Sequence, residues 1–247
     1  MILSRQRIKR RQAKEAQSGD LSGRLITLLE AQGPASEDYR TLRTSLLYAL
    51  VDEPPRLIVI TSPGPMEGKS TTCANLGVVL AQANKSVLVV DCDLRKPILH
   101  KIFGLKNLRG LVNVLVGERG LEEVLQQPAP SVEELKVVTS GPPPPDPAAL
   151  LSSRRFSNFL EEVRRDFDYV LVDVPPTELV SDPATVAAQA DGVLLVFDAQ
   201  NTRKGAVRQS VRNLESVGAT VLGTVMNNVK ASKRGYYHYY RYDYGYR

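Results

Sequence analysis

The sequence predicts an α/β fold, a mostly parallel β-sheet with helices on both faces. Three observations predict it. Short β-branched or leucine-rich runs recur at Leu57–Ile60, Val87–Val90, Leu135–Val138, Tyr169–Val172, Val193–Phe197 and Thr220–Val225. Each run is apolar at successive rather than alternate positions, which is the pattern of strands covered on both faces and hence of a parallel sheet. Helical patterns separate most of the runs, and such alternation closes by right-handed crossovers. With 43% of its 247 residues hydrophobic, the chain can fill one large core, so one domain with loose ends is expected.

The elements follow in chain order. Residues 1–35 are expected to be a basic, flexible segment, because apolar periodicity is absent except around Leu25 to Leu29. Arg5, Arg7, Lys9, Arg10, Arg11 and Lys14 face the single acid Glu15 within its first 17 residues. That segment suits peripheral contact with an anionic membrane surface or a partner's tail. From Ser36, a capping residue, Tyr39, Leu42, Leu46 and Leu50 recur at helical spacing until Pro54 and Pro55 stop the pattern. The strands and helices of a single domain then run to residue 229, with Pro142–Pro145 as a stiff loop inside it. Residues 230–247 hold seven of the ten tyrosines and no apolar pattern that could build a core, so a disordered tail is expected.

Composition narrows the partners. The net charge is +5, yet the excess of basic residues lies in the two ends and the body between them is slightly negative, which argues against nucleic-acid binding. Cys73 and Cys92 have no second cysteine or histidine at metal spacing and read as buried, reduced thiols. The apolar run at Met1–Leu3 is too short for a signal peptide, and nothing approaches the roughly 20 apolar residues of a membrane span. A cytoplasmic location is expected.

The chemistry gathers after the first strand. Thr61-Ser62-Pro63-Gly64-Pro65-Met66-Glu67-Gly68-Lys69-Ser70-Thr71 joins that strand to a helix, and Gly-Lys-Ser at such a turn is a phosphate-binding loop. The backbone from Gly64 through Met66, Glu67 and Gly68 to Lys69, Ser70 and Thr71 would cradle ATP. Lys69 would reach the β and γ phosphates, and the Ser70 hydroxyl would ligate Mg²⁺. Two further strands end in acids, Asp91 and Asp93 after the second and Asp173 after a later one. This is the sheet edge where open α/β folds hold ligands. Beside a phosphate loop, these three read as Mg²⁺ ligands and a base. Lys69→Ala is expected to leave the fold intact, since it deletes a charge rather than core volume.

These motifs carry a family resemblance. Asp91-x-Asp93-x-Arg95-x-Pro97 is a Walker A′ motif and Asp173 closes a Walker B motif; with Gly68-Lys69-Ser70 they resemble the bacterial tyrosine kinases of capsular and exopolysaccharide export, over roughly Glu37 to Asn228. The resemblance implies a P-loop NTPase-like fold and protein-tyrosine kinase activity with ATP and Mg²⁺. It assigns Lys69 and Ser70 to the phosphates and metal, Asp93 and Asp173 to the metal, and Asp91 to the proton of the tyrosine hydroxyl. Glu37-x-x-Arg40-x-x-Arg43 matches the family's oligomerisation motif, implying a ring-like homo-oligomer. The tail tyrosines Tyr236, Tyr237, Tyr239, Tyr240, Tyr242, Tyr244 and Tyr246 then become autophosphorylation sites presented to a neighbouring subunit. A transmembrane activator that recruits the chain to the inner face of the membrane is also implied, as are other protein tyrosine substrates.

Two departures stand out. Met66 occupies a loop position where the family has glycine, and Val174 follows Asp173 where the family has threonine. A bulky residue at positive φ would cost about 1 kcal/mol or more. Two other readings stay open. A nucleotide-switched dimeric ATPase of the deviant Walker type would carry a second lysine early in the loop, and Ser62–Glu67 has none. A non-enzymatic scaffold of polysaccharide export would not need the full set Lys69, Ser70, Asp91, Asp93 and Asp173.

Overall fold

The structure is a computed structural model and describes residues 22–48 and 54–230. Six strands form it: β1 (Leu57–Thr61), β2 (Val87–Asp91), β3 (Leu135–Val138), β4 (Tyr169–Asp173), β5 (Gly192–Asp198) and β6 (Val221–Asn227). They make one sheet in the order β3-β2-β4-β1-β5-β6, with every neighbouring pair parallel. All six expected strands are present, and the sheet is wholly parallel.

Burial explains why the strand runs lack alternation. Ile58, Ile60, Val87, Val89 and Leu171 point to one face, where α3 (Lys69–Ala81) and α4 (Leu99–Phe103) cover them. Leu57, Val59, Leu88, Val90, Val170 and Val172 point to the other. There they meet Leu111 of α5 (Leu111–Leu115), Leu151 of α6 (Pro147–Leu151) and Phe156, Phe159 and Val163 of α7 (Arg154–Asp166). Val186 of α8 (Asp182–Ala187) and Leu214 of α9 (Lys204–Glu215) complete that layer. Successive strand side chains therefore serve opposite cores, and both need apolar residues.

Register then aligns the chemistry. Asp91 at the end of β2 pairs with Asp173 at the end of β4, and Ile60 of β1 pairs with the same Asp173. The acids and the phosphate loop thus leave the sheet side by side at its carboxyl edge.

The amino-terminal boundary differs from expectation. Residues from 22 onward belong to the body, and α1 (Ile26–Leu29) with α2 (Pro34–Leu47) packs against α3. Leu25 and Thr27 are fully buried. The Asn75 side chain of α3 fastens this segment: its Oδ1 accepts from Thr27 N at 3.0 Å and its Nδ2 donates to Arg24 O at 2.8 Å. A few buried groups and one amide side chain dock a segment too short to show periodicity. Ser36 also differs, for α2 begins at Pro34 behind Gly33, and Ser36 is buried in the first turn with its Oγ donating to Glu30 O at 2.8 Å. Proline at the first helical position presets φ and moves the start upstream. Leu50, the basic cluster Arg5 to Lys14 and the tail tyrosines lie outside the described residues. Among the described residues, no helix is long and apolar enough to cross a membrane.

Candidate functional site

The loop between β1 and α3 is built by contacts within itself, to the loop after β5 and to the end of β6. Ser62 Oγ donates to Gly64 O at 2.7 Å, and Glu67 Oε2 accepts from Gly64 N at 3.1 Å. Thr202 Oγ1, in the loop after β5, donates to Glu67 Oε1 at 2.5 Å. From the end of β6, Asn227 Nδ2 donates to Glu67 O at 3.2 Å. Gly68 adopts φ +96°, and a Cβ there would stand 2.1 Å from that Asn227 nitrogen. Position 68 therefore favours glycine for its backbone conformation, and any side chain there would displace the Asn227 amide from the loop. Met66 adopts φ +65° and its side chain is 92% exposed. The strain expected at this departure from the family pattern is present.

Lys69, the first residue of α3, is buried and reaches both acidic loops. Its Nζ donates to Asp93 Oδ2 at 3.0 Å, to Asp173 Oδ1 at 3.2 Å and to Ser70 Oγ at 3.1 Å. Ser70 Oγ donates to Asp173 Oδ2 at 2.5 Å. Thr71, partly exposed on the next position, offers its carbonyl to Asn75 Nδ2 at 2.8 Å. Burial alone would lower the Lys69 pKa, but Asp173 and Asp93 outweigh it and hold the ammonium well above its ordinary range. Asp173 is pushed upward by burial against the opposing pull of Lys69 and Ser70.

Asp91 is held differently. It is fully buried; its Oδ1 accepts from Asp93 N at 3.2 Å, and its Oδ2 accepts from Ile98 N at 3.2 Å and Leu99 N at 3.0 Å. Burial first, then the nearby Asp173, push its carboxyl up to about 8. Its present contacts shape the A′ loop and cap α4, while Asp93 faces Lys69. Cys73 and Cys92 are free and fully buried, and burial raises both thiols well above their usual range, so they remain inert.

Glu37, Arg40 and Arg43 lie on α2, away from this cluster. Glu37 is exposed and pairs with Arg40, which also donates to Ala31 O. Arg43 is half-buried and its Nη1 donates to Val79 O at 2.9 Å, one of the last four carbonyls of α3. Part of the motif thus serves the chain's own packing. No sequence motif marks Thr202 and Asn227, which bond to Glu67 of the phosphate loop, or Asp182, which pairs with Arg95 of the A′ motif. Each is an ordinary polar residue on a separate element, and only the sheet order brings them to one edge.

Several known proteins are similar to this chain in sequence and fold. A profile for an AAA domain matches residues 56–224. Tyrosine-protein kinase YwqD of Bacillus subtilis is 41% identical over 216 residues, spanning 87% of this chain and 90% of that protein. Putative tyrosine-protein kinase EpsB of Ralstonia solanacearum is 36% identical over 235 residues, which cover 92% of this chain and 30% of that much longer relative. The kinase domain of Escherichia coli tyrosine kinase ETK is similar with a TM-score of 0.79 at 32% identity, covering 90% of this chain and 84% of that structure. A phosphate loop, two acidic strand ends and a match that spans nearly the whole of this chain and of its Bacillus subtilis relative place this protein in the bacterial tyrosine-kinase family.

Proposed function

We propose that the chain is an ATP- and Mg²⁺-dependent protein-tyrosine kinase that phosphorylates its own tail tyrosines in trans and so regulates exopolysaccharide or capsule polymerisation and export. The observation that carries this reading is the meeting of Lys69, Ser70, Asp93 and Asp173 at the carboxyl ends of β1, β2 and β4. A buried ammonium ringed by two carboxylates and a hydroxyl marks a place where positive charge is stabilised by hard oxygen donors. Among the described residues, no three His, Cys, Asp or Glu side chains form a complete metal cage. That fits Mg²⁺, which is commonly held by one or two carboxylates together with substrate phosphates. Ser70, Asp93 and Asp173 would hold it. Bound there, Mg²⁺ would supply charge neutralisation for phosphoryl transfer.

The protein's own residues do the rest. Lys69 exchanges its carboxylate partners for the β and γ phosphates, and the backbone N–H groups from Met66 to Thr71 orient the chain of phosphates. A phenol, with its pKa near 10, must lose its proton as the phosphoryl group arrives. Asp91 is the proposed acceptor, an acid at the carboxyl end of β2 paired in register with Asp173. Access to it requires the A′ loop to release the amides of Ile98 and Leu99.

Assembly and address belong to the same proposal. A ring-like homo-oligomer would use Glu37, Arg40 and Arg43, and a transmembrane activator, aided by the basic amino-terminal segment, would recruit the chain to the inner membrane face. The test is incubation of purified protein with labelled ATP and Mg²⁺, then phosphotyrosine mapping by mass spectrometry. Phosphate is expected on Tyr236–Tyr246 in the wild type and on no residue in Lys69→Ala. Label in Lys69→Ala, or label confined to Tyr39, Tyr48 or Tyr169, refutes the assignment.

A further inference from the structure

The A′ loop has a second fastening that the proposed chemistry does not use. Arg95, two residues beyond Asp93, reaches Asp182 at the start of α8, with Nε donating to Oδ2 at 2.8 Å and Nη2 to Oδ1 at 3.2 Å. The Asp182 side chain is 1% exposed, and this two-point fork satisfies both of its oxygens. A planar guanidinium fixes the direction of its partner as well as the distance, which a lysine ammonium does not.

The place of this ion pair in the site gives it meaning. The segment between β4 and α8 is already fixed to the phosphate loop, because Thr177 N donates to Ser62 O at 2.9 Å and Glu178 N to Pro63 O at 3.2 Å. Arg95 therefore ties the loop that carries Asp93 to a segment that is itself hydrogen-bonded to the phosphate loop. The base of the loop is held to the sheet by Cys92 N, which donates to Asp173 O at 2.8 Å, and by Asp91, which accepts from Asp93, Ile98 and Leu99 N. The Asp93 side chain itself is tied across to the phosphate loop by its bond to Lys69 at 3.0 Å. Once Lys69 turns to phosphates, that tie weakens at the moment when Asp93 must keep its position. The contact of Asp93 Oδ1 with Lys96 N at 3.0 Å lies within the same loop and travels with it.

We propose that Arg95 is a positioning residue of the kinase: its fork to Asp182 holds Asp93 toward the cation site while Lys69 engages the nucleotide. This inference rests on the ATP·Mg²⁺ reading of the site. It makes a specific demand, namely that loss of the fork weakens metal-assisted binding more than nucleotide binding itself. Lysine at position 95 keeps the charge and loses the fork, so it separates geometry from electrostatics.

The experiment is calorimetric titration of a non-hydrolysable ATP analogue into the full chain, with Mg²⁺ and with a chelator. In the wild type, Mg²⁺ is expected to tighten binding. Arg95→Met, which keeps the apolar stem of a side chain that is 40% exposed, should bind the metal-free analogue within twofold of wild type and lose at least tenfold of the Mg²⁺ gain. Arg95→Lys should recover only part of that gain. An undiminished Mg²⁺ gain in Arg95→Met overturns the inference and leaves the ATP·Mg²⁺ reading intact. Equal losses with and without Mg²⁺ also overturn it, since they indicate general collapse of the loop. No Mg²⁺ gain in the wild type refutes the underlying reading itself. Should Arg95→Met fail to fold, Arg95→Lys decides, and a wild-type gain there overturns the proposal.

Discussion

Met66 shows how a single residue can depart from a site without dismantling it. Its φ of +65° costs a non-glycine residue about 1 kcal/mol, and at 92% exposure it recovers little by burial. Met66→Gly removes the strain but adds unfolded-state entropy of about 0.5–1 kcal/mol, so folding stability should change little. ATP affinity should be equal or tighter by calorimetry. A tenfold weaker affinity would reveal a useful Met66 contact. Lys69 is the opposite case, and the expectation that its removal leaves the fold untouched needs correction. It neutralises two buried acids, and removing one partner of a buried ion pair costs on the order of 3–5 kcal/mol when the remaining charge stays ionised. In Lys69→Ala, burial would raise Asp173 further above its unfolded value. The folded state then holds protons that the unfolded state has released, so stability falls as pH rises above the normal aspartate range. Urea midpoints of Lys69→Ala should accordingly be near wild type at about pH 4 and well below it at pH 8, whereas a pH-independent deficit would contradict this account.

At the scale of elements, α2 and α3 share the work that the sequence pattern assigned to a neighbouring subunit. The last carbonyls of a helix have no intrahelical donor, and Arg43 supplies one to Val79 O at 2.9 Å. Arg43→Ala should therefore destabilise the monomer itself by about 1.5 kcal/mol, the low end for a charged hydrogen bond because Arg43 is partly exposed. Urea unfolding at submicromolar protein concentration measures this without an oligomer contributing. No loss there would leave Arg43 with an intersubunit role alone.

For the whole molecule, the governing fact is where the last described strand ends. Asn227 of β6 bonds to the phosphate loop, and Tyr236 follows nine residues later in sequence, so the chain leaves β6 beside its own phosphate loop, while the site its tail is proposed to serve is the neighbouring subunit's. Each phosphotyrosine adds about 1.5 to 2 negative charges, which a site already holding ATP and three acids repels. Light scattering should then show a large oligomer for dephosphorylated protein at tens of micromolar and dissociation after ATP treatment. Glu37→Ala with Arg40→Ala should remain monomeric in both states. These two positions are chosen because Glu37 is exposed and Arg43 has its own structural duty. A dephosphorylated wild type that stays monomeric would sink the model of assembly.

The sequence by itself determined the six strands, their burial on both faces and the residues that carry the chemistry, because strands covered on two sides must be continuously apolar and a phosphate loop must combine glycine, lysine and a hydroxyl at fixed spacing. Asp91, Asp93 and Asp173 were legible for the same reason, since each follows such a strand directly. Tertiary structure alone decided which acid faces the lysine. Asp93 and Asp173 do, while Asp91 turns to the amides of its own loop, and two residues of spacing cannot reveal that choice. Tertiary structure also decided the docking of residues 22–33 through Asn75, and the fork between Arg95 and Asp182, whose partners stand 87 residues apart. Periodicity records what one element buries. The polar contacts that hold separate loops in register depend on sheet order and register, which appear only when the whole chain has folded.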